Sequence, residues 1–492
     1  MSVAFWLIFA FLIAFSIQWL WSRRRFYAMI FKIPGPVGFP ILGAALKLMP
    51  KEAILKTIHE HSERHGSLMF SWLGTYPFLV VTEPDIVRDI LTSPDCVNKS
   101  LVYEAINNCT GKGLFGLEDP QWSIHRKHLN ATFSQKVLLS FLPIFNEEAN
   151  ELLRTFDDKY ECAEIITVLQ SFALKTAIRT TMGYNCGGRS IDGDSNHKLL
   201  TNYQCLVENM TEMAFSPWLA KDFLRKLLRI YEPYQKAKAD IQKFLRELIN
   251  KKYVSDESDF QPHGPKVFVD HAILLMRKNI FSRQNVEDEV NVIVIGAFET
   301  TANTIGFALI LLAMFPEYQQ KVFEELLAIF PKRGEFEVTY ENVRDMIYMD
   351  MVLNESMRIF TPVPLVARQN SKDLKLSNGI TLPAGIQICI NIFTMHRRKD
   401  IWGSRANIFN PDNFLPSNME LKHPYAFIPF TKGLRNCIGW RYGLILAKVV
   451  LAKMLRNYIF TTDFKYKDLE FIEAVVLKLE QVPVLKIRKR EY

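Results

Sequence analysis

Cysteine is scarce in this chain, and its seven cysteines follow no regular spacing. They stand at positions 96, 109, 162, 186, 205, 389 and 437, and no two of them form a C-x-x-C pair. An odd number of cysteines without a repeated framework argues against a disulfide scaffold and favours a reducing compartment.

Other absences narrow the interpretation further. No G-x-G-x-x-G sequence follows a predicted strand, so the chain is not expected to hold a flavin or a nicotinamide nucleotide. Internal repeats and low-complexity blocks are also missing. The net charge of +8 is a modest excess, much of it at Arg23–Arg25 and Lys486–Arg490, and we expect no nucleic acid partner.

Charge is missing from one long apolar run near the N-terminus. Val3 to Trp21 comprises 19 residues without a charged side chain, which is enough to cross roughly 30 Å of hydrocarbon. Arg23–Arg25 follow at once and no Lys or Arg precedes the run, so the charge bias predicts a single-pass anchor over residues 1–22 with the rest of the chain in the cytosol. The basic start and small-residue cleavage site of a signal peptide are not seen.

The remainder is predicted to form one large domain behind a short spacer. Residues 23–45 are basic and proline-rich, with three prolines between Pro34 and Pro40, and suit a stiff hinge. Residues 46–492 show no shift in composition that would divide them. The predicted fold class is mainly α with small β-sheets (α+β), as a single large domain after a transmembrane helix.

Local patterns place the elements of this domain. Hydrophobic periodicity predicts mainly helix over 134–250 and one long helix from Val286 to Met314, which Pro316 ends. The other predicted elements are a helix over 51–64, a strand hairpin at 68–72 and 78–82, a surface loop at 255–265, a helix near 350–360, and strand-like segments at 373–394 and 473–488.

The most informative segment is Phe430-x-x-Gly433-x-Arg435-x-Cys437-x-Gly439. It sets one cysteine in a loop with glycines on both sides, beside an arginine, at the start of an apolar helical run. A thiolate in this setting is stabilised by a cation and by a helix N-terminus. The alternative is a buried structural cysteine, but these flanking identities coincide only rarely by chance.

This segment resembles the haem-ligand loop of the cytochrome P450 family. The resemblance implies that the Cys437 thiolate ligates the iron of a haem b and donates electron density to it. It implies further that Gly433 permits a turn that brings N–H groups towards the sulfur, that Gly439 lets the next helix approach the porphyrin, that Phe430 shields the sulfur from water, and that Arg435 reaches a haem propionate.

The predicted long helix carries Gly296-Ala297-Phe298-Glu299-Thr300-Thr301. In the family an acid–alcohol pair at this point lies over the distal face of the haem. The resemblance implies that Thr300 and Glu299 deliver the protons that oxygen activation consumes. The alternative is an ordinary helix with a threonine bonded back to a carbonyl. We expect Phe298 to face the distal pocket.

Two departures from the family pattern lie in this motif. Ala297 stands where a second glycine is usual and narrows the distal groove by one methyl group. Gly296 occupies the position at which some fatty-acid-hydroxylating members carry a glutamate that forms an ester with the haem. The haem is therefore expected to be non-covalent apart from the bond from Cys437.

Glu355-x-x-Arg358 places an acid and a base on one helix face. The resemblance implies a buried pair that helps to fix the cysteine loop. A third arginine often completes this network in the family, whereas this chain has Asn413 within Pro411–Phe414. Asn413 can donate a hydrogen bond but carries no charge.

The two haem propionates need donors and cations. The resemblance implies four partners for them: Trp122, Arg126, Arg368 and Arg435. The alternative for each arginine is a surface salt bridge. His125 and His396 invite assignment as metal ligands, but we interpret both as surface or packing histidines.

The layout is most similar to that of the membrane-anchored, microsomal, insect-type members. The resemblance implies a monooxygenase of the endoplasmic reticulum membrane that hydroxylates an apolar small molecule, such as a lipid, hormone or xenobiotic. Electrons would come from an NADPH–cytochrome P450 reductase, with cytochrome b5 as a further partner. The alternatives are a haem-thiolate isomerase or dehydratase, against which the retained Thr300 argues, and a non-catalytic haem-binding membrane protein.

Overall fold

The computed structural model describes residues 3–36, 38, 43–44, 54–156, 160–184, 193–215, 231–254, 267–332, 334–472 and 475–491. The predicted loop at 255–265 lies outside these ranges, as do the first residues of the predicted helix at 51–64 and residues 37, 39–42 and 45 of the predicted hinge.

Helices dominate the described part of the chain. They are α1 Val3–Ser22, α2 Arg24–Tyr27, α3 Ile54–His65, α4 Pro84–Thr92, α5 Val102–Thr110, α6 Gln121–Leu129, α7 Gln135–Ser140, α8 Leu142–Arg154, α9 Ile165–Met182, α10 Gly193–Phe215, α11 Tyr231–Val254, α12 Phe268–Arg277, α13 Arg283–Met314, α14 Pro316–Ile329, α15 Tyr340–Asp345, α16 Ile347–Ile359, α17 Ile392–Met395, α18 Lys399–Trp402, α19 Pro416–Met419 and α20 Trp440–Asn457. The predicted fold class is confirmed.

The strands are short and form small sheets. They are β1 Leu68–Leu73, β2 Tyr76–Val81, β3 Glu161–Cys162, β4 Leu365–Gln369, β5 Leu374–Lys375, β6 Thr381–Leu382, β7 Gln387–Asn391, β8 Tyr458–Thr461, β9 Phe471–Ile472, β10 Lys478–Leu479 and β11 Leu485–Lys489. The largest sheet has the order β1-β2-β7-β4, with β2 and β7 parallel and the other neighbours antiparallel. The predicted hairpin is its first strand pair.

Helix α13 is the long helix predicted from the sequence and forms the centre of the main core. Ser282 and Asn285 begin it with a reciprocal capping box, and Pro316 begins the next helix. Its second half is buried on all sides and packs against α9, α16 and α20. A Cβ built on Gly306 would lie 2.4 Å from Ile166 Cδ1, so α13 and α9 approach each other closely there.

Two helices of the described part of the chain are long and apolar enough to span a membrane. One is α13, whose side chains are mostly buried in the core. The other covers Phe5–Ser22 of α1, where the apolar side chains are exposed. The exposed apolar helix fits the predicted membrane anchor.

Candidate functional site

The loop before α20 is held in a conformation that requires glycine. Gly433 has φ +75°, and a Cβ at this residue would lie 2.0 Å from the carbonyl oxygen of Leu91. The loop then turns back on itself, because the Cys437 amide donates to the Phe430 carbonyl at 3.0 Å. Both φ and close approach therefore exclude any larger side chain at position 433.

Cys437 is exposed, although protein atoms surround its sulfur closely. Burial raises the pKa of its thiol, and the Gly439 N–H and the Arg126 guanidinium partly oppose that rise. These two groups stabilise the thiolate once the proton has left. Gly439 directly precedes α20, so the sulfur also lies near a helix N-terminus.

Helix α6 supports this loop from one side. Arg126 donates to the Asn436 backbone carbonyl at 2.9 Å and to its side-chain oxygen at 2.8 Å. Trp122, one turn earlier, is buried with its indole beneath the Arg435 guanidinium, which lies 4.2 Å from the ring centroid. Helix α6 thus contacts the two residues before Cys437: Arg126 contacts Asn436, and Trp122 contacts Arg435.

Arg435 is a buried cation that is bonded only to backbone carbonyls in the described structure. It donates to Val97 O at 2.9 Å, to Leu114 O at 3.4 Å and to Leu117 O. Burial and the charge of Arg368 lower the pKa of Arg435 to about 9. The environment therefore disfavours this charge unless an anion joins it.

Arg368 likewise has no acidic partner among the described residues. It is fully buried on β4, where its Nη1 donates to Ala367 O at 3.0 Å, and its Nη2 has no acceptor among the described residues. Desolvation by burial lowers its pKa. An unsatisfied buried guanidinium nitrogen next to a second arginine points to an anionic ligand.

Lys99 joins these two arginines and was not predicted. Its backbone pairs with that of Arg368, and its ammonium lies 4.3 Å from the centroid of the Tyr103 ring. Burial, with the charges of Arg368 and Arg435, lowers the Lys99 pKa well below its usual value. Across the described ranges, no carboxylate lies within 4.0 Å of any of these three cations. No local pattern marks Lys99, because its role depends on a long-range pairing.

The acid–alcohol motif lies on α13. A Cβ on Gly296 would meet no atom within 4 Å, so this face of the helix borders open space. The Thr300 hydroxyl donates back to the Gly296 carbonyl at 2.6 Å, which is the bond of the alternative interpretation. Its proton is therefore engaged, and its lone pairs remain free to accept from a water in that space.

Glu299 points away from bulk solvent. Its side chain is buried, and among the described residues its Oε2 has no hydrogen-bond partner. Burial raises the pKa of Glu299 to about 7, an effect that Lys478 opposes and Glu208 reinforces. A carboxyl with this pKa can both hold and release a proton near neutral pH.

Phe298, which we expected to face the distal pocket, packs against a neighbouring helix in the structure. Phe298 is fully buried, and its ring packs against Tyr203 of α10 with 5.6 Å between centroids. At about 100° per residue, Phe298 lies about 200° around the helix from Gly296. It is therefore on the side of α13 that meets α10, and its role is core packing.

Glu355 and Arg358 form a buried ion pair. Arg358 Nε lies 2.6 Å from Glu355 Oε2, and its Nη1 also donates to the carbonyls of His396 and Ala406. Asn413 Nδ2 donates to Glu355 Oε1 at 3.0 Å. These contacts join α16 to the segment that precedes the cysteine loop.

Both histidines that invited assignment as metal ligands pack in the interior. His396 is fully buried, its Nδ1 3.2 Å from Thr361 Oγ1 and its Nε2 accepting from the Ile428 amide at 3.1 Å. His125 is buried against the Phe281 ring and lies 2.6 Å from Glu289. Within the described residues no group of histidine, cysteine and acidic side chains is arranged to hold a metal ion.

A haem fits the residues present. The donor set combines the exposed Cys437 thiol with the Trp122 indole and with three cations, Lys99, Arg368 and Arg435, that have no carboxylate partner in the described structure. That is the complement of a planar group with one iron and two propionates. The fold and this site define the class of haem-thiolate proteins.

Comparison with known proteins leads to the same class. A cytochrome P450 family model matches residues 33–484. The probable cytochrome P450 313a4 of Drosophila melanogaster is 52% identical over 480 residues, covering 96% of this chain and 97% of the relative. The probable cytochrome P450 313a3 of that organism is 39% identical over 99% of both chains. Its cytochrome P450 4c3 is 29% identical over 95% of this chain and 91% of the relative.

The chain belongs to the cytochrome P450 family. Members of this family are generally haem-thiolate monooxygenases, and the relatives just described support an insect-type member.

Proposed function

We propose that this protein hydroxylates an apolar small molecule at a haem b whose axial ligand is Cys437. Trp122, Arg126, Arg368 and Arg435 would hold the propionates, and we add Lys99 to them. The observation that carries the proposal is the cluster of Lys99, Arg368 and Arg435: Lys99 pairs with Arg368, whose buried Nη2 has no acceptor among the described residues, and Arg435 lies two residues before the exposed Cys437.

The bound group supplies oxygen activation, and the chain supplies protons and exclusion of water. Thr300, with its proton given to Gly296 O, would accept a hydrogen bond from a water above the helix groove and so orient it. Glu299 lies one residue earlier and has a pKa raised to about 7, so it would replace the protons that this water passes on. Phe430 would limit access of water to the sulfur from the other side.

Electrons would come from an NADPH-dependent flavoprotein reductase, with cytochrome b5 as a second donor. Lys127 follows Arg126 on α6 and is exposed, and Arg441 and Trp440 are exposed at the start of α20. These residues flank the Cys437 loop, so an acidic partner surface would meet cations close to the ligand sulfur. Helix α1 would anchor the protein in the endoplasmic reticulum membrane with the catalytic domain in the cytosol.

The proposal is tested with the full-length protein in vesicles, with NADPH, purified reductase and a panel of lipids and foreign apolar compounds. We expect a compound that displaces water from the haem to be consumed, with one product oxygen derived from oxygen-18 gas. A product that forms without NADPH and holds no gas-derived oxygen would favour the isomerase or dehydratase alternative and contradict the proposal.

A further inference from the structure

The carboxylate of Glu289 lies where three parts of the protein meet. Glu289 is on the first half of α13 and is fully buried. Its Oε1 lies 2.6 Å from His125 Nδ1 on α6, and its Oε2 accepts from the Leu114 amide at 3.0 Å. One carboxylate therefore connects α13, α6 and the segment that joins α5 to α6.

The last residue of α5 and the connecting segment after it are attached to α13 at two further points. Asp288 Oδ2 accepts from the Lys112 amide at 3.0 Å, and Asn291 Nδ2 donates to Thr110 O at 2.8 Å. A Cβ on Gly113 would lie 3.0 Å from Glu289 Oε2, so this part of the segment fits closely against the carboxylate. Three side chains of one helix thus fix the path of residues 110–114.

Each of the two hydrogen bonds of the Glu289 carboxylate leads to a predicted propionate partner. The Leu114 carbonyl, on the residue whose amide Glu289 accepts, receives a hydrogen bond from Arg435. His125 directly precedes Arg126 and stacks on Phe281, with 4.3 Å between centroids. A shift of the Glu289 carboxylate would therefore move Arg435 through Leu114 and Arg126 through His125.

We propose that Glu289 and His125 are positioning residues for the haem propionates. The pair links helix α13 to Arg435 on one side of the propionate site and to Arg126 on the other. The inference rests on the proposed function, because it needs a haem at this site. Burial of Glu289 and His125 strengthens this positioning, because a charged hydrogen bond shielded from water is costly to break and tolerates little displacement.

The test compares the rate at which the full-length holoprotein loses haem to excess apomyoglobin. We expect Glu289→Ala and His125→Ala to accelerate haem loss on the order of tenfold, which corresponds to the loss of one charged hydrogen bond, and Glu289→Gln to restore part of the wild-type rate. The resonance Raman bands of the propionates should shift in the two alanine variants. If the alanine variants fail to fold, Gly113→Ala should act in the same direction, since its Cβ would lie 3.0 Å from Glu289 Oε2 and 2.9 Å from Val292 Cγ2 and would displace both.

Ile124→Ala is the matched control, since it changes an exposed side chain next to His125 on the same helix. It should leave both haem loss and the propionate bands unchanged. Equal haem-loss rates in all variants, with only the thermal midpoint lowered, would overturn the inference and assign the pair a purely structural role. A wild-type protein that binds no haem would instead refute the proposed function itself.

Discussion

Asn413 Nδ2 donates a 3.0 Å hydrogen bond to Glu355 Oε1, in the place where many family members use an arginine. The same oxygen also accepts from Arg358 Nη2 at 2.7 Å and from the Asn410 amide at 2.8 Å, and the other oxygen accepts from Arg358 Nε. Both oxygens of the buried acid are therefore satisfied without a second cation. The network is complete despite the substitution.

This geometry predicts unequal effects at position 413. Asn413→Ala removes one of several donors and should cost about 1 kcal/mol of stability. Asn413→Asp brings a carboxylate against the buried Glu355 and should cost about 3 kcal/mol or more. Thermal unfolding of the haem-loaded protein measures the difference, and equal midpoints for the two variants would show that Asn413 does not act through Glu355.

Lys99→Gln should weaken haem retention, because it removes one of three cations that face the proposed propionates. We expect haem loss to accelerate roughly fivefold to tenfold, the value of one charge-assisted hydrogen bond, and Lys99→Arg to preserve most of the wild-type rate. Lys136→Gln, at an exposed lysine of α7, is the control. An unchanged rate in Lys99→Gln would remove this residue from the haem site.

The Glu299 carboxyl should set the alkaline limb of the activity profile. Its pKa is raised to about 7 by burial, so the proton-bearing form predominates below pH 7 and is lost as the pH rises through that value. Where proton delivery limits turnover, coupled product formation should fall above pH 7. Because the folded pKa is raised, the same group stabilises the fold at acid pH and loses that contribution as the pH rises through about 7.

Glu299→Gln should abolish the limb near pH 7 and divert NADPH consumption into hydrogen peroxide. Glu287→Gln is the control, since Glu287 lies on the same helix but pairs with Arg246 and Arg283. A profile that keeps its limb in Glu299→Gln would show that another group supplies the protons.

Phe298→Ala should affect stability more than catalysis. The ring is fully buried against Tyr203, so its removal leaves a cavity between α13 and α10. The expected cost is about 3–5 kcal/mol. Substrate dissociation constants from spectral titration of the folded fraction should change little. A large change in substrate affinity without loss of stability would show that Phe298 lines the substrate pocket.

The sequence could predict whatever depends on local pattern. Apolar periodicity and Pro316 placed the end of α13, and the turn at Gly433 followed from its position in the loop. Periodicity does not reveal which side of a buried helix meets a cavity and which meets another helix, so the contact between Phe298 and Tyr203 was not predicted. Strand β4 was not predicted either, since five residues after a proline-rich turn give little signal.

Long-range contacts account for the other features of the site that the sequence did not predict. Lys99 acquires its role only by pairing with Arg368, far along the chain. His125 was predicted as a surface or packing residue, and only the fold brings it to Glu289. Glu355 and Arg358 form a buried ion pair within one helix, which local spacing can indicate, whereas the bonds from residues 110–118 to Arg435 and α13 leave no trace in a local motif.

The most direct test of the account is the absorption spectrum of the reduced, CO-bound protein, recorded for the wild type, Cys437→Ala and Cys205→Ser. We predict the red-shifted Soret band of a thiolate-ligated iron in the wild type and in Cys205→Ser, where a half-buried cysteine outside the site is changed. The band should disappear in Cys437→Ala. Its persistence in Cys437→Ala would contradict the assignment of Cys437 as the haem ligand.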